Sequence, residues 1–219
     1  MSKTDRQLQQ DVEAELHWDP KVNAAQIGIT VDQGAVTMRG VVDTYAEKWA
    51  AENAIKRVSG VRTVAQDLTV KLLTDHARTD SEIATAVQHA LKWDVFVPSA
   101  VTAKVERGEV TLEGQVTWNH QRDAAEHAIR CYAGVIAVYN HIALKPRASA
   151  TQVKEKVEAA LQRQATADAK SIHIETAGGK VTLTGRASSW QAAEDAANAA
   201  WAAPGVTEVV DRVTKSMTL

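Results

Sequence analysis

The glycines of this 219-residue chain recur in register, and that recurrence limits what it can fold into. Gly34, Gly40 and Gly60 return 74 residues later as Gly108, Gly114 and Gly134, and 71 residues further on as Gly179, Gly185 and Gly205. Nine of the eleven glycines fall in this one register. Their neighbours agree as well. Val36-Thr37-Met38-Arg39-Gly40 matches Val110-Thr111-Leu112-Glu113-Gly114 and Val181-Thr182-Leu183-Thr184-Gly185. Gly60-Val61, Gly134-Val135 and Gly205-Val206 form a second shared signature. Self-similarity at a fixed period means one supersecondary unit repeated. Three modules are expected, at residues 4–73, 79–145 and 150–219.

Each copy opens on an apolar stripe at i, i+4, i+8: Leu8, Val12, Leu16; Ile83, Val87, Leu91; Val153, Val157, Leu161. That spacing predicts an amphipathic helix. Asp5 and Asp80 are its expected N-caps in two copies, and Ser149 or Thr151 in the third. An alternating strand follows (Ile27 to Val31, Val101 to Val105, Ile172 to Ile174), then a turn at Gly34, Gly108 or Gly179 into a second strand. Gly40, Gly114 and Gly185 lie within that strand, where glycine signals a bulge or a close backbone approach.

A second helix is expected from about Asp43, Thr117 and Ser188. Its inward positions are Ala51, Ala54, Ile55, Val58; Ala125, Ala128, Ile129, Tyr132; and Ala196, Ala199, Ala200, Ala203. Gly60, Gly134 and Gly205 stop it. A last strand runs from Val64 to Leu72, Val138 to Leu144 and Val209 to Lys215. The order α-β-β-α-β predicts an α+β fold in which two helices cover one face of a three-stranded sheet, a two-layer sandwich in each module. The linkers, 73–79 and 145–150, are short. Modules of this size are marginal alone, so they are expected to touch and to stack pseudo-symmetrically.

The element order, the V-T-L-x-G strand and the later G-V pair resemble the BON domain, a family named for bacterial osmotically inducible and nodulation proteins. The resemblance implies a role in osmotic or envelope stress, interaction with phospholipid membranes, potassium binding in one branch, and no catalytic residues.

Composition narrows the partners. Lys and Arg total 25 against 27 Asp and Glu, a net charge of −2, and the modules carry −1, −2 and +1 in turn. Nucleic-acid binding calls for a basic stripe, and the sequence has none. Polybasic attraction to anionic lipid is likewise weak here, leaving tryptophan as the means of any membrane contact. No apolar run approaches a membrane span. The polar residues 1–16 lack the pattern of an export signal, so a cytoplasmic location is expected. The lone Cys131 cannot form an internal disulfide and fits a reducing compartment.

The residues give little chemistry. His120 and His127 can share a helix face, yet no metal-ligand spacing appears among the seven histidines. Cys131 corresponds to Arg57 and Trp201 in the other copies and has no partnered base in view. Gly178-Gly179-Lys180 reads as a hairpin turn. No catalytic residue, metal ligand or cofactor site is assigned, and an enzyme is not expected.

The tryptophans stand out, six against one Phe and three Tyr. Trp18, Trp93, Trp118 and Trp190 are expected to lid small cores. Trp49 aligns with Asp123 and Glu194, and Trp201 with Lys56 and Arg130. Positions charged in the other copies face outward, so Trp49 and Trp201 are the candidate surface for a membrane, a partner or a neighbouring module. The expected function is a non-enzymatic stress protein presenting its modules to phospholipid or to a protein partner. One alternative is a potassium sensor using backbone carbonyls near Gly40, Gly114 and Gly185. The other is a structural or chaperone-like scaffold.

Overall fold

The computed structural model describes residues 3–145, 157, 159–160 and 171–215. The first module runs α1 (Asp5–Trp18), β1 (Ile27–Asp32), β2 (Ala35–Val42), α2 (Tyr45–Arg57) and β3 (Thr63–Val70). The second runs α3 (Asp80–Trp93), β4 (Thr102–Glu106), β5 (Glu109–Glu113), β6 (Gln115–Val116), α4 (Asn119–Ile129), β7 (Ala137–Asn140) and β8 (Ala143–Leu144). The third contributes β9 (Ile172–Ala177), β10 (Lys180–Ala187), α5 (Trp190–Trp201) and β11 (Glu208–Lys215). Val157 is helical and fully buried against the third core. Val153, Leu161 and the proposed caps Ser149 and Thr151 lie outside the described residues.

The α+β architecture is as the repeat predicts. Each module has a three-stranded sheet in which a hairpin pairs antiparallel and the last strand returns parallel to the middle one. The third module repeats this register residue for residue: Ile172 faces Gly185 as Ile27 faces Gly40. In the second module Gly114 interrupts the strand, dividing its pairing into β4-β5-β7 and a separate β6-β8 ribbon. One apolar face of each sheet and the inward stripes of the helices make each core. In the first module these are Leu8, Val12, Leu16, Val36, Met38, Ala51, Ala54 and Ile55.

The strand glycines are required by a close approach. Gly40, Gly114 and Gly185 take φ of 145°, 138° and 119°. A Cβ at each would overlap the carbonyl oxygen of Gln26, Ala100 or Ser171 on the neighbouring chain segment. This fixes where the hairpin's far end can lie.

Several local expectations are corrected. Thr4 and Thr79, not Asp5 and Asp80, cap the first helices, each in a reciprocal capping box with Gln7 or Glu82. The two aspartates, one residue on, instead reach across the module. Asp5 accepts from the backbone N–H groups of Gln33 and Gly34 at 2.9 and 3.1 Å, and Asp80 from Arg107 and Gly108 at 2.8 Å each. The second helices begin after Thr44, Trp118 and Ser189 rather than Asp43, Thr117 and Ser188. Their last turns close at Val58, Arg130 and Ala202, so Gly60, Gly134 and Gly205 do not stop them. These glycines lie in the following turn, at φ of 107°, 93° and 93°. Their carbonyls crowd the hairpin glycines Gly34, Gly108 and Gly179 too closely for a Cβ there to fit comfortably. Tyr132 faces solvent rather than the core.

Candidate functional surfaces

The second helices bring the modules together. Tyr45, at the start of α2, packs against the core of the second module. One turn on, Trp49 lies under the guanidinium of Arg130, which sits 3.5 Å from the ring centroid. Burial in this seam, with Glu126 and Glu52 nearby, pushes the Tyr45 phenol up to about 12. Trp190, the equivalent of Tyr45, packs against the first module's core with Lys56 Nζ 5.7 Å above its ring. Trp201 completes the set, with Arg122 of the second module 4.9 Å from its ring. Each seam therefore carries a cation over an indole face, an arrangement that tolerates partial hydration at little cost.

The seam between the second and third modules leaves a cleft of about 450 Å³, lined by Trp118, Asn119, His120, Asp123, Asn198 and Trp201. Trp118 stacks on His120 with ring centroids 6.4 Å apart, and Phe96 meets His120 edge-on. Asn119 donates to the Asp123 carboxylate at 2.6 Å, while its own Oδ1 is buried without a partner. Desolvation between the modules raises the Asp123 pKa, although 59% of that side chain still meets water at the cleft mouth.

Trp49 and Trp201 are thus half-buried between modules, each with an arginine of the second module facing it across its ring. The outward aromatics are others. Trp18 and Trp93 do not lid cores: they are 82% and 81% exposed at the ends of α1 and α3. Trp190 covers the neighbouring module's core instead of its own, and Trp118 lines the cleft. Just after Trp93, Val95 and Phe96 are also open, at 90% and 61%. The i, i+4, i+8 stripe was a usable signal for this: Trp18 and Trp93 fall two residues past its last member, on the far side of the helix.

The acids beside these tryptophans are held by their own modules. Asp19 accepts from Lys21 N–H at 3.1 Å and from Arg57 at 3.1 Å, and those bonds, the backbone one foremost, hold its carboxyl below the usual range. Asp94 caps the turn by accepting from Phe96 N–H at 2.9 Å. Lys21 and Lys92 remain exposed beside them.

His120 and His127 are both exposed, and among the described residues no group of three or more His, Cys, Asp or Glu could hold a metal ion. Cys131 is exposed and free. Asn53 bonds locally, donating to the Trp49 carbonyl at 2.9 Å. Among the described residues no helix is long and apolar enough to cross a membrane. The carbonyls of Gly114 and Gly185 accept from Ala143 N–H at 2.9 Å and Thr214 Oγ1 at 2.8 Å, both within their own modules.

Comparison with known proteins agrees with the repeat. The family model for the BON domain matches three segments, residues 4–71, 79–146 and 149–215. Osmotically-inducible protein Y of Escherichia coli (strain K12) is 29% identical over 139 residues, which is 61% of this chain and 69% of that protein. Among solved structures, CdsD, a structural protein of the type III secretion system of Chlamydia trachomatis, shares 15% identity at a TM-score of 0.27 over 95% of this chain and 92% of its own. The PrgH periplasmic domain shares 9% at a TM-score of 0.22 over 87% of this chain and 95% of its own.

Proposed function

The chain belongs to the BON domain family, which it carries as three tandem copies, and from that membership we propose that it is a non-enzymatic osmotic-stress protein that docks its modules on phospholipid. One observation carries the lipid half. Trp18, Trp93, Val95 and Phe96 stand exposed at the ends of the first helices, beside exposed Lys21 and Lys92. Indole rings settle at the headgroup level, where one edge is apolar and the other wet, and a neighbouring ammonium adds attraction to anionic lipid. No soluble core gains from leaving these side chains in water. The stress context is supported by the likeness to an osmotically-inducible protein.

Co-sedimentation with vesicles of phosphatidylcholine and phosphatidylglycerol at low salt tests the reading. Binding is expected, and raised salt weakens it only in part because the indoles contribute an apolar share. A chain that stays in the supernatant at every lipid concentration would remove phospholipid as the ligand.

A further inference from the structure

The three seams close a ring. Position 45 of the first module corresponds to 119 and 190 in the others, and position 56 to 130 and 201. In each seam the early turns of one second helix meet the last turn of the next. Tyr45 and Trp49 meet the second module at Arg130, Asn119 and Arg122 face the third at Trp201, and Trp190 meets the first at Lys56. Three head-to-tail contacts of one kind that return to their starting module make a cyclic arrangement with an approximate threefold axis.

That geometry decides where the exposed tryptophans lie. Trp18 and Trp93 are equivalent residues, as Leu8 is to Ile83 and Leu16 to Leu91. Equivalent points of a threefold ring stand at one height along its axis. We propose that the ring holds Trp18 and Trp93 as two anchors of one docking face, engaged together on an anionic phospholipid bilayer. This rests on the phospholipid reading above and adds how that surface is read. The first anchor is one indole near a lysine, and the second adds Val95 and Phe96 to its indole and lysine; each alone is a weak contact. Once the first is seated, the rigid ring presents the second at high effective concentration, so the pair binds on the order of a hundredfold tighter than either alone. The ring is the positioning device, and Trp190, which joins the third module to the first, is its closing contact.

The test uses the full chain and the same phosphatidylcholine–phosphatidylglycerol vesicles, titrated with wild type, Trp18→Ala, Trp93→Ala, the double variant and Trp190→Ala. The first two substitutions fall on exposed side chains, and unchanged melting temperatures show that the modules stay folded. Each single anchor variant is expected to lose at least tenfold in affinity, and the double variant to show no measurable binding. Trp190→Ala, which touches neither anchor, is expected to lose about tenfold. Single variants within twofold of wild type, one anchor carrying all the affinity, or full binding by Trp190→Ala would each overturn two-point docking while leaving the phospholipid reading intact. Absence of binding by the wild type overturns that reading, and this inference with it.

Discussion

At the scale of single residues, the repeated strand glycines, which geometry demands, contrast with Gly178, which it does not. Gly40 combines φ of 145° with a backbone oxygen where its Cβ would sit. Gly40→Ala, Gly114→Ala and Gly185→Ala should each cost about 3 kcal/mol or more, since backbone strain and overpacking add. Gly178 also has positive φ, 61°, but open space around it. The other copies place Gln33 and Arg107 there, at φ of 47° and 53°. Gly178→Ala should therefore cost no more than about 1 kcal/mol. Urea melts of the four variants order them, and equal costs would show that the carbonyl contact is not what selects glycine.

Asp19 gives a pH signature. Hydrogen bonds from Lys21 and Arg57 hold its folded-state pKa below the unfolded value. Its stabilisation is accordingly present at neutral pH and is lost as the pH falls below about 4, through the lowered folded-state pKa. Arg57 is 47% exposed, so the contribution is held to under about 1 kcal/mol. Asp19→Asn should flatten the acid limb of the stability curve by that amount, as followed by chemical denaturation between neutral pH and pH 3.

At the scale of elements, most of the secondary structure was legible, because the period of the apolar residues dictates it. Leu8, Val12 and Leu16 and their counterparts Ile83, Val87 and Leu91 are buried as their spacing requires. The ends were less legible. Asp5 and Asp80 look like caps, yet the threonine before each has the extended backbone a cap needs, and Gln7 and Glu82 complete the box. Sequence alone does not show that the carboxylate is spent on a hairpin turn nearly thirty residues away. This bond ties α3 to the β4-β5 turn, and Asp80→Ala leaves two N–H groups without an acceptor. The expected loss is about 1–2 kcal/mol, measured by thermal or urea unfolding. A neutral substitution would mean that water replaces the carboxylate freely. The break of the second module's middle strand at Gly114 was not legible, since the same residue in the other copies leaves β2 and β10 continuous.

At the scale of the whole molecule, the sequence marked Trp49 and Trp201 as misplaced among charged positions but could not say what covered them. The reason is physical: a seam between modules is a contact between distant residues, and no local period encodes it. The outward role passed to Trp18 and Trp93, which a core-lid reading had claimed. If Trp190 is the closing contact, Trp190→Ala should free the third module from the first. Calorimetry is expected to resolve an early transition for the third module ahead of the main one, with a stability loss of roughly 1–3 kcal/mol. A single transition at the wild-type temperature would show that the other two seams suffice.

The cation and the indole trade places at one seam. Trp49 and Trp190 sit on leading edges and meet Arg130 and Lys56 behind them, whereas the second module leads with Arg122 and finds Trp201. Transposing the last two modules would set Arg122 against Lys56 and Trp49 against Trp201, one repulsive contact and one with no charge to seat. Circular permutation would preserve every native match. The chain is thus not a string of interchangeable beads: its segments are keyed to their neighbours, and shuffling them would break the lock while leaving each bead folded.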